Sequence, residues 1–254
     1  MLCVLALMPH VTAGRRLGDR FEAYPCGAVL IRDERTLVVS DLHLGCEAVL
    51  EYEGLSLPRV QTSRIEQTLA ELVRSVSPDR LVVAGDLKHN FSRNLIQEWT
   101  DVSSFVRRLS GLAPVAVVKG NHDNYLGTIL RELGLHLTPE ARVGGVRVVH
   151  GHSGRLTAQP TVMGHIHPSI SLRDELGVSV KVPCFLYDPR REIVVLPAMS
   201  LVAGGSDVVH QPSTDEMSPL LAPAGLSDFE PLVFSGTDAL RFPMIGKMRK
   251  TEGV

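Results

Sequence analysis

The chain has 254 residues, 44% of them hydrophobic and 21% charged, the proportions of a globular protein long enough for one large domain or two small ones. Its net charge of −2 excludes a wholesale polyanion binder of the histone or ribosomal kind, although a local basic patch would still serve nucleic acid. Four cysteines, Cys3, Cys26, Cys46 and Cys184, share no C-x-x-C spacing, so reduced core thiols are expected in place of a zinc knot or a disulfide framework. The apolar opening, residues 1–8, has no basic leader and stops at Pro9 and His10, too soon for a membrane span. A cytoplasmic protein that makes no membrane contact is expected.

In chain order, a poorly patterned segment at 1–20 carries Arg15, Arg16 and Arg20. The apolar runs 28–31 and 36–40 flank a turn-like 32–35 and predict a hairpin. Ser63 and Glu66 form a capping-box pattern, and Ile65, Leu69, Leu72, Val73 and Val76 recur at helical spacing up to Ser77 and Pro78. The run 81–84 reads as a buried strand. Leu95, Ile96, Trp99, Val102, Phe105, Val106 and Leu109 predict a second helix, closed by Gly111 and Pro114. A strand at 115–118 follows, then a short helix through Ile129, Leu130 and Leu133 that ends near Gly134. Beyond it the runs 146–149, 161–163, 178–182 and 193–196 are strands with little room for helices between them.

Strand–helix alternation followed by a run of strands predicts an α/β sandwich of two packed sheets covered by helices, occupying 21–203. The stretch 204–254 is richer in proline, including Pro212, Pro219, Pro223, Pro231 and Pro243. It reads as an extension packed on the domain, with a hairpin of 231–234 and 239–242 around 235–238.

Polar clusters stand directly after the apolar runs: Asp41-x-His43, Gly85-Asp86, Gly120-Asn121-His122-Asp123, His150-Gly-His152 and Gly164-His165-x-His167. Six of the ten histidines fall in them. Alternate residues of an extended chain share a face, so Asp41 and His43 can act as two teeth of one metal clamp. In open α/β folds ligands gather at the carboxyl ends of strands, where five such ends can converge. A shell of carboxylate, imidazole and one amide suits Mn, Fe, Zn, Co or Ni, and Mg less well.

This set resembles the calcineurin-like metallophosphoesterase superfamily, whose blocks D-x-H, GD, GNH[D/E], H and GH-x-H occur here in order. The resemblance implies the two-sheet αββα sandwich of that superfamily and two divalent metal ions, manganese favoured. One ion would be held by Asp41, His43, Asp86 and His167, the other by Asp86, Asn121, His150 and His165, with Asp86 bridging. It further implies phosphoester hydrolysis by metal-activated hydroxide, with His122 as general acid and Asp123 orienting His122 and fixing its tautomer. His152 is expected behind the ligands, orienting one of them or a phosphate. His10, His89, His136 and His210 read as ordinary histidines, with Lys88 and His89 facing substrate as the sharper alternative.

The blocks 37–47, 85–89, 164–168, 182–186 and 196–198, with Gly204 and Gly205, look like the ligase-associated, SbcD-related phosphoesterases of bacteria and archaea. That kinship implies a phosphodiester substrate such as DNA, nuclease activity and DNA-repair partners, and related enzymes form homodimers. The basic clusters Arg15, Arg16 and Arg20; Arg107 and Arg108; and Lys247, Arg249 and Lys250 are short and read as solvated surface. Two other readings stand beside this one: a small-molecule phosphatase or cyclic-nucleotide phosphodiesterase, and a non-catalytic metal-binding scaffold on the same fold. The complete ligand set with His122 retained speaks against the scaffold.

Overall fold

The computed structural model describes residues 13–52, 54, 58–90, 96–173, 177–210 and 217–252. The apolar opening, Cys3, His10, Leu95 and Pro212 lie outside them.

Three short strands, β1 (Arg15–Leu17), β2 (Phe21–Ala23) and β3 (Val29–Ile31), meander antiparallel into β4 (Thr36–Val39). From β4 the sheet turns parallel through β5 (Arg80–Ala84), β6 (Val115–Val118) and β7 (Leu137–Thr138), giving seven strands in sequence order. Parallel neighbours need crossovers. Here they are α1 (Cys46–Tyr52) and α2 (Gln61–Val76), then α3 (Ile96–Ser110), then α4 (Leu126–Glu132). Leu37, Val39, Leu81 and Val83 pack under these helices with Ile65, Leu69, Leu72 and Phe105, while Val38, Val82 and Ala84 face the second sheet. Burial on both faces is why these strands read as continuous apolar runs.

The second half supplies β8 (Ala141–Val143), β9 (Val146–Val149), β10 (Thr161–Met163), β11 (Pro168–Arg173), β12 (Ser179–Pro183), β13 (Phe185–Asp188), β14 (Ile193–Val195), β15 (Ser206–Asp207), β16 (Glu230–Ser235) and β17 (Asp238–Arg241). Seven of these form the second sheet, in the order β17-β16-β13-β14-β10-β9-β8; the other three form a small sheet, β12-β11-β15. Val148, Val162, Phe185 and Val194 meet the first sheet in a shared core. The opposite face, with Met163, Leu186 and Val195, is closed by Ile166 and Ile170, by Leu220, Leu221 and Phe229, and by Ile245 of α5 (Ile245–Glu252).

The mixed α/β fold with two main sheets is therefore present. Helices cover the first sheet, whereas the small sheet and the C-terminal chain cover most of the second. The hairpin expected near the C-terminus is β16 paired with β17, and Arg15–Leu17 of the poorly patterned segment is an edge strand.

One local expectation is overturned. The helix at 61–76 starts two residues before the supposed cap: Val60 is the N-cap, and Ser63 lies inside the first turn with its hydroxyl donating to the Val60 carbonyl at 2.9 Å. The buried carboxylate of Glu47 does the capping instead, accepting the Gln61 N–H at 2.6 Å and placing negative charge at the helix N-terminus. Glu66 turns away to Arg108 at 2.5 Å.

Candidate metal centre

Five strands end at one place. Asp41 and His43 follow β4, Asp86 follows β5, Asn121 to Asp123 follow β6, His150 and His152 follow β9, and His165 and His167 follow β10. The loops after β4 and β5 run side by side: the amides of Asp41, His43 and Leu44 donate to the carbonyls of Gly85, Asp86 and Leu87 at 3.1, 3.0 and 2.9 Å. Asp41, His43, Asp86, His165 and His167 have φ of 56°, 46°, 51°, 72° and 48°, a region that L side chains occupy at a cost of about 1–3 kcal/mol each. Backbone strain is thus concentrated on the residues that aim polar groups over the strand ends. Glycine is required at two neighbours. A Cβ on Gly164 would stand 1.7 Å from Ser40 Oγ and 2.3 Å from Asp41 Oδ2, and one on Gly120 would stand 2.1 Å from Asp86 Oδ1.

The side chains converge closely. His167 Nε2 lies 3.1 Å from Asp41 Oδ1 and 3.3 Å from His43 Nε2. His150 Nε2 lies 3.3 Å from Asp86 Oδ2 and 3.0 Å from Asn121 Oδ1. Its Nδ1 donates to the Ala84 carbonyl at 3.0 Å, which leaves Nε2 as the atom aimed into the cluster. Asp86 Oδ2 is also 4.0 Å from His43 Nε2 and from His122 Nε2. The ring of His165 centres 4.9 Å from that of His150. The ring of His152 centres 5.3 Å from that of His150 and 6.2 Å from that of His165.

Asp41 and Asp86 are buried. Burial opposes ionisation of Asp41, but the close His167 imidazole and the charge of His150 outweigh it and hold the carboxyl well below the usual carboxylate range. His150 is pushed up to about 9 because Asp86 and Asp41 overcome its burial. Burial pushes His43 and His165 down to about 4, so both present neutral nitrogens of the kind a metal takes. Asp41 Oδ2 accepts from Ser40 Oγ at 2.6 Å and from the His165 amide at 3.0 Å. Asp41 Oδ1, equally buried, lies 3.1 Å from His167 Nε2 but receives no well-directed hydrogen bond among the described residues. An orphaned carboxylate oxygen facing imidazole nitrogens fits a divalent cation, which would satisfy all of them at once.

Three expectations need revision. Asp123 does not orient His122. Its buried carboxylate accepts the amides of Gly120 at 2.8 Å, Asp86 at 2.9 Å, Leu87 at 3.0 Å and Lys88 at 3.3 Å, tying the β5 and β6 loops together. The Nδ1 of His122 instead donates to the His89 carbonyl at 2.6 Å. Lys88 does not face substrate: it is fully buried, and its ammonium donates to the Asn90 carbonyl. His89 does join the cluster, with Nδ1 3.4 Å from His43 Nδ1 and its ring stacked 5.6 Å from His122. Its adjacency to Gly85-Asp86 was the available signal. Above these groups is a cleft of about 270 Å³ lined by His43, His89, His122 and His167 and by Cys46, Leu50, Ser200 and Val202.

A mixed α/β fold with carboxylates and imidazoles clustered at parallel strand ends defines a candidate metal centre. A family model described as calcineurin-like phosphoesterase matches residues 34–179. The chain belongs to the calcineurin-like phosphoesterase family and is a phosphoester hydrolase. Among solved structures, nuclease MPE of Pseudomonas putida is similar, with a TM-score of 0.63 and 20% identity over 87% of this chain and 96% of that one. Yfce, a phosphoesterase from E. coli, matches with a TM-score of 0.37 and 21% identity over 67% of this chain and 83% of that one. The first is a likeness of fold. No curated protein sequence matches the chain. No helix among the described residues is long and apolar enough to cross a membrane.

Proposed function

We propose that the chain hydrolyses phosphodiester bonds of nucleic acid, using two divalent cations, manganese favoured, in a cytoplasmic repair setting akin to that of the ligase-associated phosphoesterases. Asp41, His43, Asp86 and His167 would hold one ion, and Asp86, Asn121, His150 and His165 the other. The observation that carries this reading is the position of Asp86 Oδ2, 3.3 Å from His150 Nε2 and 4.0 Å from both His43 Nε2 and His122 Nε2. One carboxylate oxygen faces both ligand sets and the acid. Bound cations supply positive charge that activates water and offsets the charge on the phosphoryl oxygens. His122 borders the cleft, and its Nδ1–H is held by the His89 carbonyl. Its Nε2 is thereby the atom that delivers a proton to the leaving oxygen. Leu50 and Val202 give the cleft an apolar wall, which suits the second ester substituent of a diester.

With Mn2+ loaded, bis-p-nitrophenyl phosphate should be cleaved faster than p-nitrophenyl phosphate, and a panel of single- and double-stranded oligonucleotides should include a substrate. Preference for the monoester, or an intact panel, overturns the reading.

A further inference from the structure

A second concavity lies at the far end of the small sheet. It is a groove of about 910 Å³ between β11, β12 and α5, and its lining includes Leu172, Arg173, His210, Phe242, Lys247 and Met248, none of which borders the metal cleft. Its volume is that of a small-molecule or nucleotide site. The guanidinium of Arg173 and the ammonium of Lys247 are exposed and form no ion pair among the described residues. Arg249, by contrast, belongs to the framework: it donates to the carbonyls of Val209 and Val208 at 2.9 and 2.8 Å and pins α5 against the chain after β15. Asp207, a carboxylate paired with His210, is turned inward, accepting from Ser171 Oγ, from the amides of Val209 and His210, and from His210 Nδ1 at 3.1 Å.

The path between the two sites follows from topology. β11 starts at Pro168, directly after His167, and reaches the groove at Arg173. β15 pairs parallel with it, and the chain there passes from Ala203 and Gly204 at the cleft to His210 at the groove. Two parallel segments therefore lead from the metal cleft to the same cationic end, roughly 20 Å away at ~3.3 Å per residue.

We propose that this groove binds a distal stretch of the single-stranded nucleic acid whose scissile phosphate sits in the metal cleft. Arg173 and Lys247 contact backbone phosphates, and Phe242 and Met248 form an apolar floor for a base. The proposal rests on the reading of the metal centre as a nucleic-acid hydrolase. An acidic protein segment would match the charge alone and is the competitor that the test excludes.

Fluorescence anisotropy of a labelled single-stranded oligonucleotide, titrated with the full chain in EDTA, reads binding without cleavage. Arg173→Glu/Lys247→Glu should raise Kd at least about tenfold and flatten the dependence of log K on log salt by about 1.4, at ~0.7 for each phosphate no longer neutralised. Both residues are exposed, so the variant should keep the wild-type melting temperature. Arg64→Glu/Arg107→Glu, an equal charge change on the helices covering the other sheet, should leave Kd within about twofold. Equal weakening by both double variants, an unchanged Kd in the first, or displacement of the oligonucleotide by polyglutamate at equal charge overturns the proposal. Oligonucleotide cleavage by the wild type in Mn2+ is scored separately. Groove binding without cleavage removes the reading of the metal centre and leaves the groove, whereas cleavage with an unaltered Kd in the groove variant removes the groove alone.

Discussion

The small sheet joins two ends built on opposite physical terms. At the metal end, Asp41 and Asp86 are buried, five non-glycine residues carry positive φ, and Gly120 and Gly164 have no room for a methyl group. At the groove end the cationic side chains are exposed, and no lining residue carries positive φ among those described. Charges forced together out of water need a strained, close-packed scaffold to hold them, whereas charges left in water need only a surface. Substitutions of the buried carboxylates at the first end should therefore disturb folding, metal binding and turnover together. Those at the second should be felt in ligand affinity alone.

The sharpest test of the metal end is Asp86→Ala, which removes the one oxygen facing both ligand sets. Metal analysis after Mn loading should fall from about two ions per chain, the two-metal stoichiometry, to below one, with hydrolysis undetectable. Full occupancy in this variant would break the comparison. His122→Ala separates chemistry from assembly: metal content should hold while kcat falls by about 10²–10⁴-fold, the usual worth of a positioned acid.

Asp123 divides two accounts. As an orienting partner of His122 it would affect kcat at unchanged stability. As the acceptor for four backbone amides it should affect stability first, because each buried donor left unpaired costs about 1–3 kcal/mol. Urea unfolding of Asp123→Ala in EDTA should show a loss of ~3 kcal/mol or more, with Asp123→Asn recovering part of it. Gly164→Ala tests close packing without changing any charge. Its Cβ would overlap Ser40 Oγ, and overpacking of this kind typically costs about 1–3 kcal/mol, read in the same experiment.

The metal end was legible because its ligands are residues that seldom follow buried strands by accident, and their backbone positions are set by those strands. The central strands of the first sheet were legible for a related reason: Val38, Val82 and Val117 lie in apolar runs that only double burial explains. Of the small sheet only β12 was, as the run 178–182; β11 and β15 were not. The part of β11 with its end at Arg173 mixes Ser169, Ser171 and Leu172, and β15 is two residues long, so neither carries a periodic signal; their partners are chosen by tertiary packing. The role of Asp123 and the burial of Lys88 were hidden likewise, since a carboxylate beside a histidine reads as its partner unless the amides of a distant loop are seen to take it. Arg173 and Lys247 sit 74 residues apart in number and meet only through the fold.

The first turn of α2 repeats the comparison at the smallest scale. Gln61 is buried, its side-chain amide donating to the His43 carbonyl at 3.1 Å while its Oε1 accepts from Ser200 Oγ at 2.8 Å and the Leu201 amide at 3.0 Å. The helix start is thereby fastened to the loop of a proposed ligand. Two residues on, Ser63 is exposed, and its hydroxyl donates only back to the Val60 carbonyl. A genuine N-cap serine would cost about 1 kcal/mol on conversion to alanine. Ser63→Ala should instead stay within ~0.5 kcal/mol of wild type, as a surface change does, because Glu47 already takes the Gln61 amide and alanine is the better helix former inside a turn. A loss near 1 kcal/mol in urea unfolding would return the cap to Ser63 and detach the start of α2 from the metal end.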